Sequence, residues 1–347
     1  MKSYFDRVID KVISVLNKTL FKSESDSHEK MWARNEPDQL SVRTSGEALE
    51  KGYDYKGSVF MFVEDMHNTI MPFLHVMREG GQTFDATVDP ANHAIEEIIT
   101  EGLVGRDHFR GLPDALCDFV RHAAQTLFYT GLATYEIVRT KNDKNEYEGF
   151  YLVPIYPLSL KKFLGNYYQI VPSSERKVGV TKTGIIRIPK EKILCIEMPK
   201  ELGGQRKLRK MLKRLYKLSQ KSFPDFHVET MRKGKNIGFN LKEYDYEKYL
   251  EQAFLTKAFG WNQRRVPDEN ILEHYSLRLR LKKVRAQAIV REKIIESINQ
   301  ALNGPLLNLH TKIVVKGIWT KTESEEELAR LNAGDVEFIN IFNRTLN

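Results

Sequence analysis

The stretch that decides the fold runs from Tyr151 to Lys221. It opens with YLVPIYPLSLKKFLGNYYQIVP (151–172), crosses the polar turn SSERKVGVTKTG (173–184) and returns as IIRIP (185–189) and KILCIEMP (192–199). Short runs of β-branched and aromatic residues, separated by clusters of Gly, Pro and Ser, read as strands joined by turns. Pro154, Pro157 and Pro189 have no N–H for a ladder, so they confine their strands to sheet edges or ends. After Gly203-Gly204 the period changes. In QRKLRKMLKRLYKLSQK (205–221), Leu208, Leu212, Leu215 and Leu218 recur at helical spacing. Arg206, Lys207, Arg209, Lys210, Lys213, Arg214, Lys217 and Lys221 fill the other positions, and Pro224 marks the end. The β segment therefore reads as a frame holding one basic helix at a fixed angle.

Working outward, ATYEIVR (133–139), the turn cluster KNDKNEYEG (141–149) and FYLVPIYP (150–157) make a hairpin. Before it, Leu112, Leu116, Phe119, Val120, Ala123, Leu127 and Phe128 predict a helix with a wide apolar stripe, opened by Pro113 and stopped by Gly131. A further helix is expected with Asp89 as N-cap, Pro90 at its first position, Ala94, Ile95, Ile98 and Ile99 on one face, and Gly102 at its end. VFMFVEDMHNTIMPFLHVM (59–77), interrupted by Pro72, reads as a helix or strand–helix element that starts the main domain. Residues 3–21 predict an amphipathic helix through Phe5, Ile9, Val12, Leu16 and Leu20, fit for a membrane surface, a partner, a neighbouring subunit or its own protein. Residues 22–58 are polar and read as an arm. Downstream, helices are expected over about 245–259 and about 282–302, the second interrupted by Arg291 and stopped by Asn303-Gly304-Pro305. Leu277-Arg278-Leu279-Arg280-Leu281 alternates and is open to a strand reading. TKIVVKGIW (311–319) predicts a short strand, and SEEELARLN (324–332) a final helix.

The fold class is α+β, helix-rich, with an antiparallel β region and long helices. Four segments follow: an N-terminal amphipathic helix and polar arm (1–58), an α+β core (59–202), a helical region (203–303) and a short C-terminal strand and helix (304–347). The chain has 347 residues, 41% of them hydrophobic, enough for a real core in one large domain or two ordinary ones. A net charge of +8 and a pI near 9.1 favour an anionic partner, nucleic acid or a membrane surface. The two cysteines, Cys117 and Cys195, both lie in apolar runs and read as reduced thiols in a core. No apolar run reaches the length of a membrane span, and the N-terminus lacks the pattern of a secretory signal.

The chemistry-bearing motifs are absent from the sequence. There is no GxxxxGK[ST] loop to cradle phosphates, no GxGxxG, no HExxH and no cysteine pair at zinc spacing. His67 and His75 do not make a ligand set alone. Glu64 and Asp65 near His67 carry little specificity. Pro224-Asp225 with Glu229 approaches a nuclease carboxylate cluster, but Met231 stands where such a site needs a lysine. No catalytic residue, metal site or cofactor is expected, and the chain reads as a non-enzyme. The basic helix remains, with eight cations in sixteen residues (206–221). Neutralising phosphates releases counterions, so binding through it should be salt-sensitive. Few aromatics (Tyr216, Phe223, Phe226) accompany it, which favours a duplex backbone over base stacking. The alternative is a solvated face whose apolar stripe packs on a neighbour. So many positions carry cations that one solvent face is hard put to hold them all.

From about residue 85 to 230 the chain resembles a portal protein of tailed bacteriophages, or a prophage or satellite-type relative. The resemblance is carried by LPDALCDFVRHAAQTLFYTGLATYEIV (112–138), a helix ending in aromatic-x-Gly before a strand; by YLVPIYPLSLKKF and GNYYQIV; by IIRIPKEKILCIEMP; and by Gly203-Gly204 opening a helix. With the flanks, from residue 59 to 303, it covers about two-thirds of the chain, the helix near 282–302 being compatible with that family's long helix. The resemblance implies a wing-like β region, stem-like helices and a closed homo-oligomeric ring, commonly of twelve subunits. It implies a place in the virion at one capsid vertex, after synthesis in the bacterial host cytoplasm. The implied partners are double-stranded DNA, the large terminase subunit, the major capsid protein and the head–tail connector or adaptor. The competing reading is a monomeric or dimeric module that binds nucleic acid or a membrane surface through 206–221.

Overall fold

The computed structural model describes residues 38–42, 57–72, 84–104, 111–141, 147–172, 184–220, 228, 241–262 and 273–334. The expected helix over 3–21, most of the arm, His75, Lys221, Asp225, Glu229 and Met231 lie outside them. In chain order the elements are α1 (Ser58–Asn68), β1 (Asp85–Asp89), α2 (His93–Val104), α3 (Leu112–Thr130), β2 (Leu132–Lys141), β3 (Tyr147–Ile155), β4 (Leu160–Phe163), β5 (Asn166–Ile170), β6 (Ile185–Ile188), β7 (Ile193–Glu197), α4 (Gly204–Ser219), α5 (Leu241–Leu255), α6 (Glu273–Leu302), β8 (Lys312–Lys316) and α7 (Lys321–Ala333). Helices and purely antiparallel strand pairs make this the expected α+β fold.

The strands form three small sheets, in the orders β3-β2-β7, β4-β5-β6 and β1-β8. Pro154 sits opposite Tyr135 on the edge strand β3, where its missing N–H costs no ladder bond. α3 behaves as its spacing dictates. Gly131 ends it in the left-handed region at φ 76°, and Leu112, Leu116, Phe119, Val120, Ala123, Leu127 and Phe128 are all buried. Above α3, the Phe62 ring meets Phe128, Phe259 and Trp261 edge-on at 6.1, 5.3 and 5.6 Å. Trp261 gains a partner for its ring N–H by donating to Asp65 at 2.8 Å. This gives Asp65 a structural task. One core draws together residues from Val59 to Ile313.

Several expectations shift. Asp89 is not a helix cap. It ends β1, which pairs with β8 in register Asp89↔Lys312, while Asn92 caps α2 by accepting from the Ile95 N–H at 3.3 Å. Gly102 does not stop α2. It lies inside the helix because a Cβ there would come within 2.5 Å of the Phe150 ring. The 277–281 stretch is helix, not strand, and α6 starts at Glu273 rather than near 282. Leu277 and Leu281, four apart, pack together against Leu331 of α7. α7 starts at Lys321, set by a capping box in which Thr320 and Glu323 satisfy each other's backbone N–H groups. Arg291 does not weaken α6. It is buried and donates to the carbonyls of Ile70 (2.7 Å) and Trp319.

Part of the polar arm is fixed to the sheets. The fully buried Glu136 on β2 accepts from the backbone N–H groups of Leu40 (2.8 Å) and Ser41 (2.7 Å). Gln169 on β5 both accepts from and donates to the Val42 backbone. Lys192 donates to the Asp38 carboxylate and carbonyl, each at 2.7 Å. Burial alone would raise the Asp38 carboxyl, but the Lys192 and Arg139 contacts outweigh it and hold it below its ordinary value. The segment 38–42 thus straps the first sheet to the second.

A basic helix anchored on one face

Gly203 precedes α4 at the N-cap position, adopting φ 98° and offering no side-chain cap. The helix start is pressed against the end of α3: a Cβ on Gly131 would lie 2.9 Å from the Gln205 Cα. From there the leucine spacing predicted by the sequence sets the orientation. Leu208, Met211, Leu212, Leu215 and Leu218 are buried, all but Leu218 in the main core. At 100° per residue these five occupy an arc of about 120°, and the seven cations within the helix lie on the opposite arc of about 160°. All seven therefore share the side of the helix away from the core rather than most of its circumference, and six of them reach solvent.

The seven described cations differ. Arg206, Lys207, Lys210, Lys213, Arg214 and Lys217 are exposed. The ion pairs of the described residues lie elsewhere, at Lys192–Asp38, Arg285–Glu325 and Lys321–Glu201 among others, and none involves these six. Arg209 is half-buried and turned back into the protein, its Nε donating to the Thr130 carbonyl at 2.9 Å. A cation there closes the last turn of α3, where carbonyls lack partners and the helix dipole is negative. Arg209 is therefore tied up in the fold, while the other six are available. They are also mutually repulsive, since Arg206/Lys210, Lys210/Arg214 and Lys213/Lys217 are four residues apart. Arg206 and Lys207 add to this by standing in the first turn, at the positive end of the dipole.

Among the described residues the other titratable groups are scattered through the fold. Among the described residues no group of three or more His, Cys, Asp and Glu is placed to hold a metal ion. His67 bonds its own helix through Val63 O at 2.7 Å. His122 stands 3.5 Å from the Tyr135 hydroxyl, and burial lowers its pKa. Cys117 is a free thiol that burial pushes up to about 11, and Cys195 is free and likewise raised by burial. No helix among the described residues is long and apolar enough to cross a membrane.

Fold and site together define a class: a helix-rich α+β protein presenting one core-anchored helix whose outer face is bare positive charge. No protein-family model matches the chain, and no curated protein matches it. Among solved structures it is similar to an HK97-family phage portal protein from Corynebacterium diphtheriae. That likeness has 10% identity and a TM-score of 0.33, and it covers 67% of this chain and 86% of the other.

Proposed function

We propose that the chain is the repeating subunit of a portal ring at a capsid vertex, through which double-stranded DNA enters and leaves. The observation that carries the reading is the outer face of α4: six exposed cations, without an acidic partner among the described residues, on a helix anchored by its buried face. Such a face suits a polyanion or an acidic protein surface, and it does so without an enzyme's machinery. The sequence resemblance turns that general reading into the particular one. Two local features that carried the resemblance are present in the fold and support the reading: α3 ends at Gly131 and runs straight into β2, and Gly203-Gly204 open α4. In this reading the ring, commonly of twelve copies, binds the large terminase subunit during packaging and the connector afterwards, seated among major capsid proteins in the virion. DNA contact is loose and steeply salt-dependent, because a tunnel that gripped its cargo would stall it.

The test is native mass by light scattering, with negative-stain images of the same sample. Closed rings with a central hole are the expected result. A monodisperse monomer or dimer across salt and concentration overturns the ring. The same α4 face then supports the second reading, a module that binds nucleic acid or an anionic membrane surface.

A further inference from the structure

The β4–β5 turn breaks the rules of its own geometry. Phe163 and Asn166 pair across a two-residue loop, Leu164-Gly165, in which both residues have positive φ, 46° and 80°. Turns of that form favour Asn-Gly, because an L residue with a bulky side chain is strained there. Leu164 is nonetheless 72% exposed, and Phe163 beside it 47%. Neither the turn nor solvation is served by a leucine at this position. Around the tip stand Lys161, Lys162 and Arg187, all exposed and without an acidic partner among the described residues. Lys162 lies over the Tyr167 ring at 5.7 Å, and Arg187 donates to Asn166. Burial and the nearby Arg209 lower the Lys161 pKa, so another cation, not an anion, is its electrostatic neighbour. The tip is an apolar knob with a basic collar.

Elsewhere in the same chain lies a groove of the opposite character. It is a shallow, open depression along α6 beside β8, lined by Ile295 and Val315 with Glu292, Glu296, Asn299 and Gln300 among the polar residues. Its wall is stiff, since Asn299 both accepts from the Ile313 N–H and donates to the Ile313 carbonyl, completing the outer edge of β8. Glu292 accepts from the Lys321 backbone N–H. Glu296 pairs with Lys293 at 2.7 Å, an exposed bridge that contributes little and exchanges readily.

We propose that the β4–β5 tip of one copy seats in the α6–β8 groove of a second copy. Phe163 and Leu164 meet Ile295 and Val315, and the basic collar faces Glu292 and Glu296. Because knob and groove are different patches of one surface, the contact is head-to-tail, and repeating it builds a ring or a filament rather than a closed dimer. The inference rests on the ring reading and supplies its interface.

The test uses the full chain with Leu164→Cys and Ile295→Cys together, oxidised mildly and run on a non-reducing gel, beside native-mass and imaging data on the parent protein. A ladder of covalent multiples in the double variant, absent from either single variant, is the expected result. Rings in the images without a ladder leave the portal reading standing and overturn this interface. A ladder without rings keeps the contact and overturns the ring. Neither ladder nor rings overturns both. As a second arm, Leu164→Asn relaxes the turn and should weaken assembly at least tenfold while the melting temperature stays level or rises. Unchanged assembly with lost sedimentation on anionic vesicles would assign the tip to a lipid surface instead and overturn the proposal.

Discussion

α4 and α6 both carry arginines and lysines through their middles, yet the charges meet opposite fates. On α6, Arg291 is buried to 4% exposure and donates to two backbone carbonyls from distant parts of the chain. On α4, six cations stand in solvent with no acidic partner among the described residues, while Arg209 reaches back to a carbonyl. The difference teaches that a cation's residue type says little about its task. What matters is whether the surrounding fold brings acceptors to it. Where it does, the charge is part of the scaffold; where it does not, the charge is left for a partner.

The strongest way to break that contrast is Arg291→Leu. It leaves the Ile70 and Trp319 carbonyls without their charged donor in the interior, and we expect a loss of about 3 kcal/mol in urea unfolding. A change within experimental error would remove Arg291 from the scaffold. Arg209→Gln should cost about 1 kcal/mol, the scale of one hydrogen bond to a helix C-terminus with its dipole contribution, while polyanion binding stays nearly level. If binding fell and stability held, Arg209 would join the outward face. The third test is pH. The Asp38 carboxyl is held below its ordinary 3.8 by Lys192 and Arg139, so its contribution is present above that value and is lost as pH falls through the lower folded value. Limited proteolysis near the 38–42 strap should therefore accelerate below about pH 4, and Asp38→Asn should show the faster cleavage already at neutral pH. The smallest stability effect is expected from reversing Lys210, Lys213 and Lys217 to Glu. Two of the three like-charge pairs, Arg206/Lys210 and Lys210/Arg214, become opposite-charge pairs while Lys213/Lys217 stays like-charged, so thermal stability should stay within about 0.5 kcal/mol of the parent. The same variant should lower the salt slope of duplex DNA binding by about 3, one for each cation removed. Unfolding on this change would make α4 a purely structural helix.

Much of this fold was legible because its signals are local. The Gly131 stop, the β2–β3 hairpin and the two-sided α4 each follow from residues within a few positions of one another. β1 escaped because a five-residue strand is defined by β8, which lies far along the chain, and Asp89-Pro90 offered a competing helix-start pattern. The α7 start is written in the sequence as Thr320-x-x-Glu323, a capping box just ahead of the polar run SEEELARLN, so the helix opens at Lys321 rather than near Ser324. Arg278 and Arg280 made 277–281 alternate as a strand would, yet the leucines there pack at helical spacing once α7 lies alongside. In the candidate site, seven of the eight cations fall on described residues, and sequence spacing alone put them on one helix. It gave no sign that Arg209 differs from its neighbours.

By itself, then, the sequence determined that there would be an amphipathic basic helix framed by antiparallel strands, since periodicity and turn chemistry act over a few residues. Only the tertiary structure decided which charges are bound into the scaffold and which face outward. The acceptors that hold Arg209, Arg291 and Lys192 are carbonyls and a carboxylate from remote segments, at Thr130, Ile70, Trp319 and Asp38. A contact between groups so far apart in the chain exists only after the core has closed around them.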